Sequence, residues 1–169
     1  MKKCYLIVDV QNDFVGGSLG FEGAEQVVLN IAEKLKDAKG DFVFTRDTHF
    51  EDYLTTQEGV NLPVIHCQKD SHGWQIDDRL HPYLEGATIF DKSSFGSKDL
   101  IHYFETNSYD EVEIMGLVSN ICVISSAVLV KTADPETQIV VDRQCTDSFD
   151  PELNLKVFDV LQGLQVKVV

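Results

Sequence analysis

The chain is short of positive charge. Fourteen Lys and Arg stand against 28 Asp and Glu, a formal net charge of −14 at pH 7. Such a surface repels nucleic-acid phosphates and anionic lipid, so neither is an expected partner. Also lacking is any apolar run close to the ~18 residues that a membrane-spanning helix needs. The opening MKKCYLIVDVQNDF has two lysines and a short apolar stretch, but Asp9 interrupts it at once and no small-residue cleavage site follows. No secretory leader is read there, and a cytoplasmic location is expected. Cysteine is sparse and unpatterned. Cys4, Cys67, Cys122 and Cys145 show no metal-finger spacing, and inside a cell they read as reduced thiols rather than a disulfide framework. Repeats, low-complexity tracts and interdomain linkers are missing too. What is present is ordinary for a globular chain: 169 residues, 43% hydrophobic, with ten Phe and one Trp. That suits one domain over residues 1–169 with a single core.

Short β-branched runs alternate with helical patterns. Residues 4–8, 42–45, 63–67, 88–91, 111–115, 138–141 and 164–169 read as strands, nearly continuous in apolar character and so buried on both faces of a parallel sheet. Residues 24–37 carry one apolar stripe through Val27, Val28, Ile31 and Leu35, which predicts a helix. Residues 98–105 follow Ser97 as a shorter helix. Residues 120–132 are apolar nearly all round, and residues 150–162 start Asp-Pro-Glu, a cap with Pro at the first helical position. The alternation predicts a three-layer, doubly wound α/β fold. The segment 47–62 is the longest irregular stretch, and loops of that length are usually functional.

Ligands of such sheets bind beyond the carboxyl ends of the strands. Asp9, Asp47, Lys92 and Cys122 all fall at such ends. In Gly116-Leu-Val-Ser-Asn-Ile-Cys122 the glycine permits a tight turn off the strand, Ser119 or Asn120 is placed to cap the helix, and Cys122 lies in its first turn. A helix start lowers a thiol pKa, and its free amides can receive an oxyanion. A small apolar residue packing in the core is the alternative for this cysteine; the strand-to-helix corner favours the reactive one. Asp9, partly desolvated, can take the thiol proton and return it to a leaving amine; as a mere turn cap it would do neither. Lys92 can stabilise both anions, or be a surface lysine.

A second cluster holds Asp47, His49, Glu58 and His66. Carboxylate with imidazole suits Zn²⁺, Fe²⁺ or Mn²⁺. Spacing alone leaves a metal site and ordinary loop hydrogen bonds both open.

With these residues in place the chain resembles the isochorismatase-like cysteine hydrolases, within them the nicotinamidase branch, over nearly its whole length. The carrying motifs are LIVDVQNDF (6–14), FTRDTH (44–49), LPVIHC (62–67), DKSSFGS (91–97) and GLVSNICV (116–123). The resemblance implies a Cys122–Asp9–Lys92 triad, a thioester intermediate, and an oxyanion hole from the amides of Val118 and Cys122. It implies a cis peptide at Leu117–Val118, a six-stranded mostly parallel sheet with helices on both faces, and a dimer or larger homo-oligomer. It places Phe14 and Trp74 as aromatic walls around a flat substrate, with core packing as their alternative. It implies a divalent metal, zinc first with iron or manganese as alternatives, on Asp47, His49, Glu58 and His66. Glu58 stands where many members have a further histidine, and HCQKDSHGW (66–74) departs from the usual stretch after HC. Hydrolysis of nicotinamide to nicotinate and ammonia leads; another small amide or ureide, or a metal-free isochorismatase-type reaction, follows. A receiver-like signalling domain is disfavoured, because the third expected strand ends in His66-Cys67 rather than a phosphate-accepting Asp.

Overall fold

Six strands form one parallel sheet in the order β3-β2-β1-β4-β5-β6 in the computed structural model, which describes Met1–Val169. The strands are β1 Lys3–Val8, β2 Asp41–Asp47, β3 Thr88–Lys92, β4 Glu111–Leu117, β5 Gln138–Asp147 and β6 Lys167–Val168. Every pairing is parallel. Strand order reverses between β1 and β4, and that switch point is where a doubly wound sheet opens a crevice. A receiver domain follows a different order, 2-1-3-4-5, so the topology disposes of that reading. Its original ground also changes, since the third strand ends in Asp91-Lys92.

After the short α1 (Asn12–Val15), helix α2 (Ala24–Lys36) covers one face; after the short α3 (Gln57–Asn61), α4 (Lys98–Thr106), α5 (Ile124–Ala133) and α6 (Pro151–Gly163) cover the other. The alternation within β1 divides its side chains accordingly. Cys4, Leu6 and Val8 join one core with Phe104, Val130 and Phe158, while Tyr5 and Ile7 join the other with Val28, Ile31 and Leu35. Ser97 caps α4 through the amide of Asp99, and Asp150 caps α6 through those of Glu152 and Leu153, with Pro151 next in line. No helix is long and apolar enough to cross a membrane.

Three expectations fail locally. Residues 63–67 form no strand. Pro63 has no amide to give a ladder, Ile65 is exposed, and the place beside β2 is taken by β3. The segment meets this end of the sheet through an isolated parallel bridge between His49 and Gln68, in which the His49 N–H donates to the Cys67 carbonyl at 3.0 Å. The last strand shrinks from 164–169 to two residues. The helix expected over 120–132 begins as a π turn at Ser119–Val123 before α5 proper, with Val118 at its cap position and no side-chain cap from Ser119 or Asn120.

Candidate active site

The carboxyl ends of β1, β2, β3 and β4 converge on Cys122. Gly116 sets the corner. Its φ is +122°, and a Cβ there would lie 2.1 Å from the Val8 carbonyl oxygen, so only glycine lets β4 pass β1 this closely. A cis peptide follows at Leu117–Val118, where the family resemblance implies one. The π turn then brings the Cys122 thiol over the end of β1.

Three side chains meet there. Lys92 Nζ lies 3.6 Å from Cys122 Sγ and 2.6 Å from Asp9 Oδ2, and it also donates to the Ser94 carbonyl at 3.0 Å. The Lys92–Asp9 contact is a close, buried ion pair. The other oxygen, Oδ1, accepts from Thr45 Oγ1 at 2.6 Å. Asp9 is fully buried and sits at φ +50°, so its carboxylate is turned back over the strand end instead of running on with the chain.

Burial dominates the proton affinities. It pushes the Asp9 carboxyl up, against the pull of Lys92 downward. Burial works against the Lys92 cation, but Asp9, Cys122 and Asp47 outweigh it and hold its pKa above the ordinary value. The Cys122 thiol is pushed well up by burial and then by Asp9, with Lys92 opposing. The expectation that a helix start lowers this thiol's pKa is therefore reversed. Desolvation, with the Asp9 and Asp47 carboxylates beside it, sets that direction.

Beside this group, Asp47, His49, Glu58 and His66 place one donor atom each within 4.8 Å of one another. Asp47 Oδ2 is 2.9 Å from His49 Nε2 and 3.3 Å from His66 Nε2; Glu58 Oε1 is 3.7 Å and 3.8 Å from the same two nitrogens. Tetrahedral ligands ~2.1 Å from a zinc ion lie ~3.4 Å apart, so the spacing fits. The orientation fits as well. His66 Nδ1 faces the Val64 carbonyl at 2.7 Å, and a carbonyl only accepts, so in the neutral ring Nδ1 carries the hydrogen and Nε2 is free to ligate a metal. Two carboxylates buried together call for a cation. Glu58 is pushed up by its own burial and by Asp47, and burial would likewise raise Asp47, but hydrogen bonds from His49 and His66 hold that carboxyl far below its usual range. Asp47 Oδ1 is also 4.0 Å from Lys92 Nζ, which couples the two clusters.

Both clusters open on one cavity of about 350 Å³ lined by Phe14, Asp47, Glu58, Leu62, His66, Phe95, Val118, Ile121, Cys122 and Phe149. That is the size of a pocket for a small ligand. Phe14 lines the cavity and lies edge-on to His66, with ring centroids 5.7 Å apart. Trp74 does not. It is buried outside the cavity, its Nε1 donating to Thr48 Oγ1 at 2.8 Å and its ring covered by the Arg46 guanidinium at 3.8 Å. Its assignment as a substrate wall is corrected to core packing. Phe95 and Phe149 supply the aromatic surface instead. Sequence reasoning overlooked both, along with Thr45 and Tyr53, whose ring packs 4.5 Å from His49 and 5.1 Å from His66.

Residues 3–169 match the family described as the Isochorismatase domain. The nicotinamidase of Saccharomyces cerevisiae is 28% identical over 214 aligned positions, covering 99% of either chain; the alignment exceeds the length of this chain, so that relative carries inserted segments. A nicotinamidase/pyrazinamidase of Bacillus subtilis superposes with a TM-score of 0.86 at 23% identity, covering 100% of both chains. A pyrazinamidase of Pyrococcus horikoshii in complex with zinc superposes with a TM-score of 0.83 at 22% identity, covering 100% of this chain and 99% of that one. At such identities the two structures establish a common fold.

Proposed function

The chain belongs to the isochorismatase family, and on that premise we propose that it hydrolyses a small amide, nicotinamide first, to the carboxylic acid and ammonia through Cys122, Asp9 and Lys92. The observation that carries this reading is Cys122, with Lys92 and Asp9 grouped behind it, lining a cavity of about 350 Å³. The nicotinamidase relative of Saccharomyces cerevisiae supports the choice of substrate.

In this mechanism the resting thiol holds its proton. Asp9 accepts that proton as Sγ attacks the carboxamide carbon, and the carbonyl π electrons move to oxygen. The backbone N–H groups of Val118 and Cys122 receive the oxyanion. Asp9 then gives the proton to the departing nitrogen, the C–N bond breaks, and ammonia leaves a Cys122 thioester. Water enters, Asp9 takes one of its protons, and the hydroxide adds to the thioester carbon. The C–S bond breaks and the thiolate is reprotonated from Asp9, releasing the acid. A carboxyl whose pKa is raised by burial suits both directions of transfer. Lys92 keeps Asp9 and Cys122 in register and offsets whichever of them is anionic.

Asp47, His49, Glu58 and His66 would hold a divalent metal, zinc first, which when bound would supply a coordination point for an electron-rich atom of the substrate. Phe14 and Phe149 would bound a flat ring between the two clusters, and holding the partners together contributes several kcal/mol to such reactions. The test is ammonia release from nicotinamide and a panel of small amides, with mass spectrometry of a quenched reaction. The expected result is an acyl adduct on Cys122 and no turnover in Cys122→Ala. Full activity in that variant would refute the mechanism; turnover only of another amide would move the substrate and keep the chemistry.

A further inference from the structure

The turn after β1 does more than present Asp9 and Phe14. Gln11 is fully buried, and its amide makes three hydrogen bonds, all to backbone. Its Oε1 accepts from the Asp47 N–H at 2.7 Å, and its Nε2 donates to the Asp47 carbonyl at 2.8 Å and to the Trp74 carbonyl at 2.8 Å. One side chain thus clamps both backbone groups of Asp47. Two residues on, Asp13 Oδ2 accepts from the Cys67 N–H at 2.7 Å, next to His66.

The place of Asp13 is built for it. A Cβ on Gly73 would lie 2.1 Å from Asp13 Oδ2, and one on Gly17 would lie 2.4 Å from Oδ1, so the carboxylate occupies space that two missing side chains leave. Backbone bonds tie the same segments together: Asn12 donates to Gln75, and Asp13 donates to Gly73. This also accounts for HCQKDSHGW, the stretch that departs from the family pattern. Its Gly73 and Trp74 meet the side chains of Asp13 and Gln11.

Asp47 ends β2, whereas His66 lies outside the named strands, two residues before the single bridge of Gln68 with His49. That bridge engages Cys67, Gln68 and Lys69 but neither Asp47 nor His66 itself, yet Asp47 Oδ2 and His66 Nε2 stand 3.3 Å apart. We infer that Gln11 and Asp13 are positioning residues that set the spacing of the metal donors by clamping the backbone at Asp47 and beside His66. The inference rests on the metal reading proposed above.

The experiment measures zinc affinity of the metal-stripped full-length chain by competition with a chromophoric chelator. Thermal unfolding is followed in parallel. Groups behind the ligands typically contribute tenfold to a hundredfold in affinity. Gln11→Met and Asp13→Ala are expected to weaken zinc by about that factor while still unfolding cooperatively. Asp13→Asn keeps an oxygen facing the Cys67 N–H and should return affinity to near the wild-type value, a rescue that loss of general stability would not give. Gly73→Ala, which touches no donor, should weaken zinc by displacing Asp13. If Gln11→Met does not fold, Gln11→Asn replaces it, being one methylene too short to reach both Asp47 groups. Folded variants of either residue that bind zinc as tightly as the wild type overturn the inference and leave the site standing. A wild type that binds no zinc overturns the metal reading and this inference with it.

Discussion

Cys122 shows how a single residue's chemistry depends on its neighbours' charges. Asp9 raises its thiol pKa and Lys92 lowers it. The two corresponding variants should therefore move its reactivity in opposite directions. Lys92→Ala removes a cation that favours the thiolate, so the pH profile of alkylation by iodoacetamide should shift to higher pH. Asp9→Asn removes an anion that disfavours the thiolate, so the profile should shift to lower pH even as turnover falls by two or more decades, on the order of a lost general base. Profiles that fail to move, or that move together, would separate these residues from the nucleophile. Cys122 should also label ahead of Cys4, Cys67 and Cys145, because it alone of the four lines the cavity. Trp74 teaches the converse. As the only tryptophan it invites a binding role, but the Arg46 guanidinium and Thr48 hydroxyl satisfy it inside the fold.

At the level of elements, helix ends were read more reliably than isolated apolar runs. Ser97 and Asp150 announce α4 and α6 because a side-chain oxygen one residue ahead of a helix has one evident use. Asp150 accepts from Glu152 and Leu153 at 3.0 Å each. Asp150→Ala should therefore cost about 1 kcal/mol in urea unfolding. Turnover per folded molecule should stay unchanged, since Asp150 is not among the cavity's walls. An equal loss of stability and of activity per folded molecule would show that α6 bears on the site. The run 63–67 resembles a strand without being one because a short, mostly apolar run carries no information about whether a neighbouring strand has a free edge. The pairing of Asp47 with Lys92 across β2 and β3 was likewise invisible, although it sets the 4.0 Å approach between the two clusters.

Over the whole molecule the acidic cluster links stability to metal and pH. Burial opposes a charge on His66, but its hydrogen bonds to Asp47 and the Val64 carbonyl, together with the charges of Asp47 and Glu58, outweigh burial and raise its pKa. In chelator-treated protein, protonated His66 thus stabilises the fold fully below ~6.5, the ordinary histidine value. That contribution is lost as pH rises through the raised folded value. Metal requires neutral imidazole, so zinc should stabilise more as pH rises. Calorimetry of stripped protein should show melting temperature falling from pH 6 to pH 8, with added zinc reversing the fall. At a hundred times its Kd zinc adds about 2.7 kcal/mol. No zinc response, or an equal response in a His49→Ala, His66→Ala double variant, would remove the metal from the account.

The sequence by itself determined the parallel α/β layering, because buried strands and striped helices differ in period and alternate along the chain. It also determined which residue types could do chemistry, since Asp9, Asp47, Lys92 and Cys122 interrupt or end apolar runs where polar groups are costly unless used. Only the tertiary structure decided their distances, the direction of the Cys122 pKa, and which aromatics wall the cavity. Those depend on strand order, on Gly116 letting β4 cross close to Val8, and on Gln11 and Asp13 reaching across some 36 and 54 positions of chain. Contacts between residues so far apart leave no periodic trace, because each is a single meeting of two side chains or backbone groups rather than a repeated pattern.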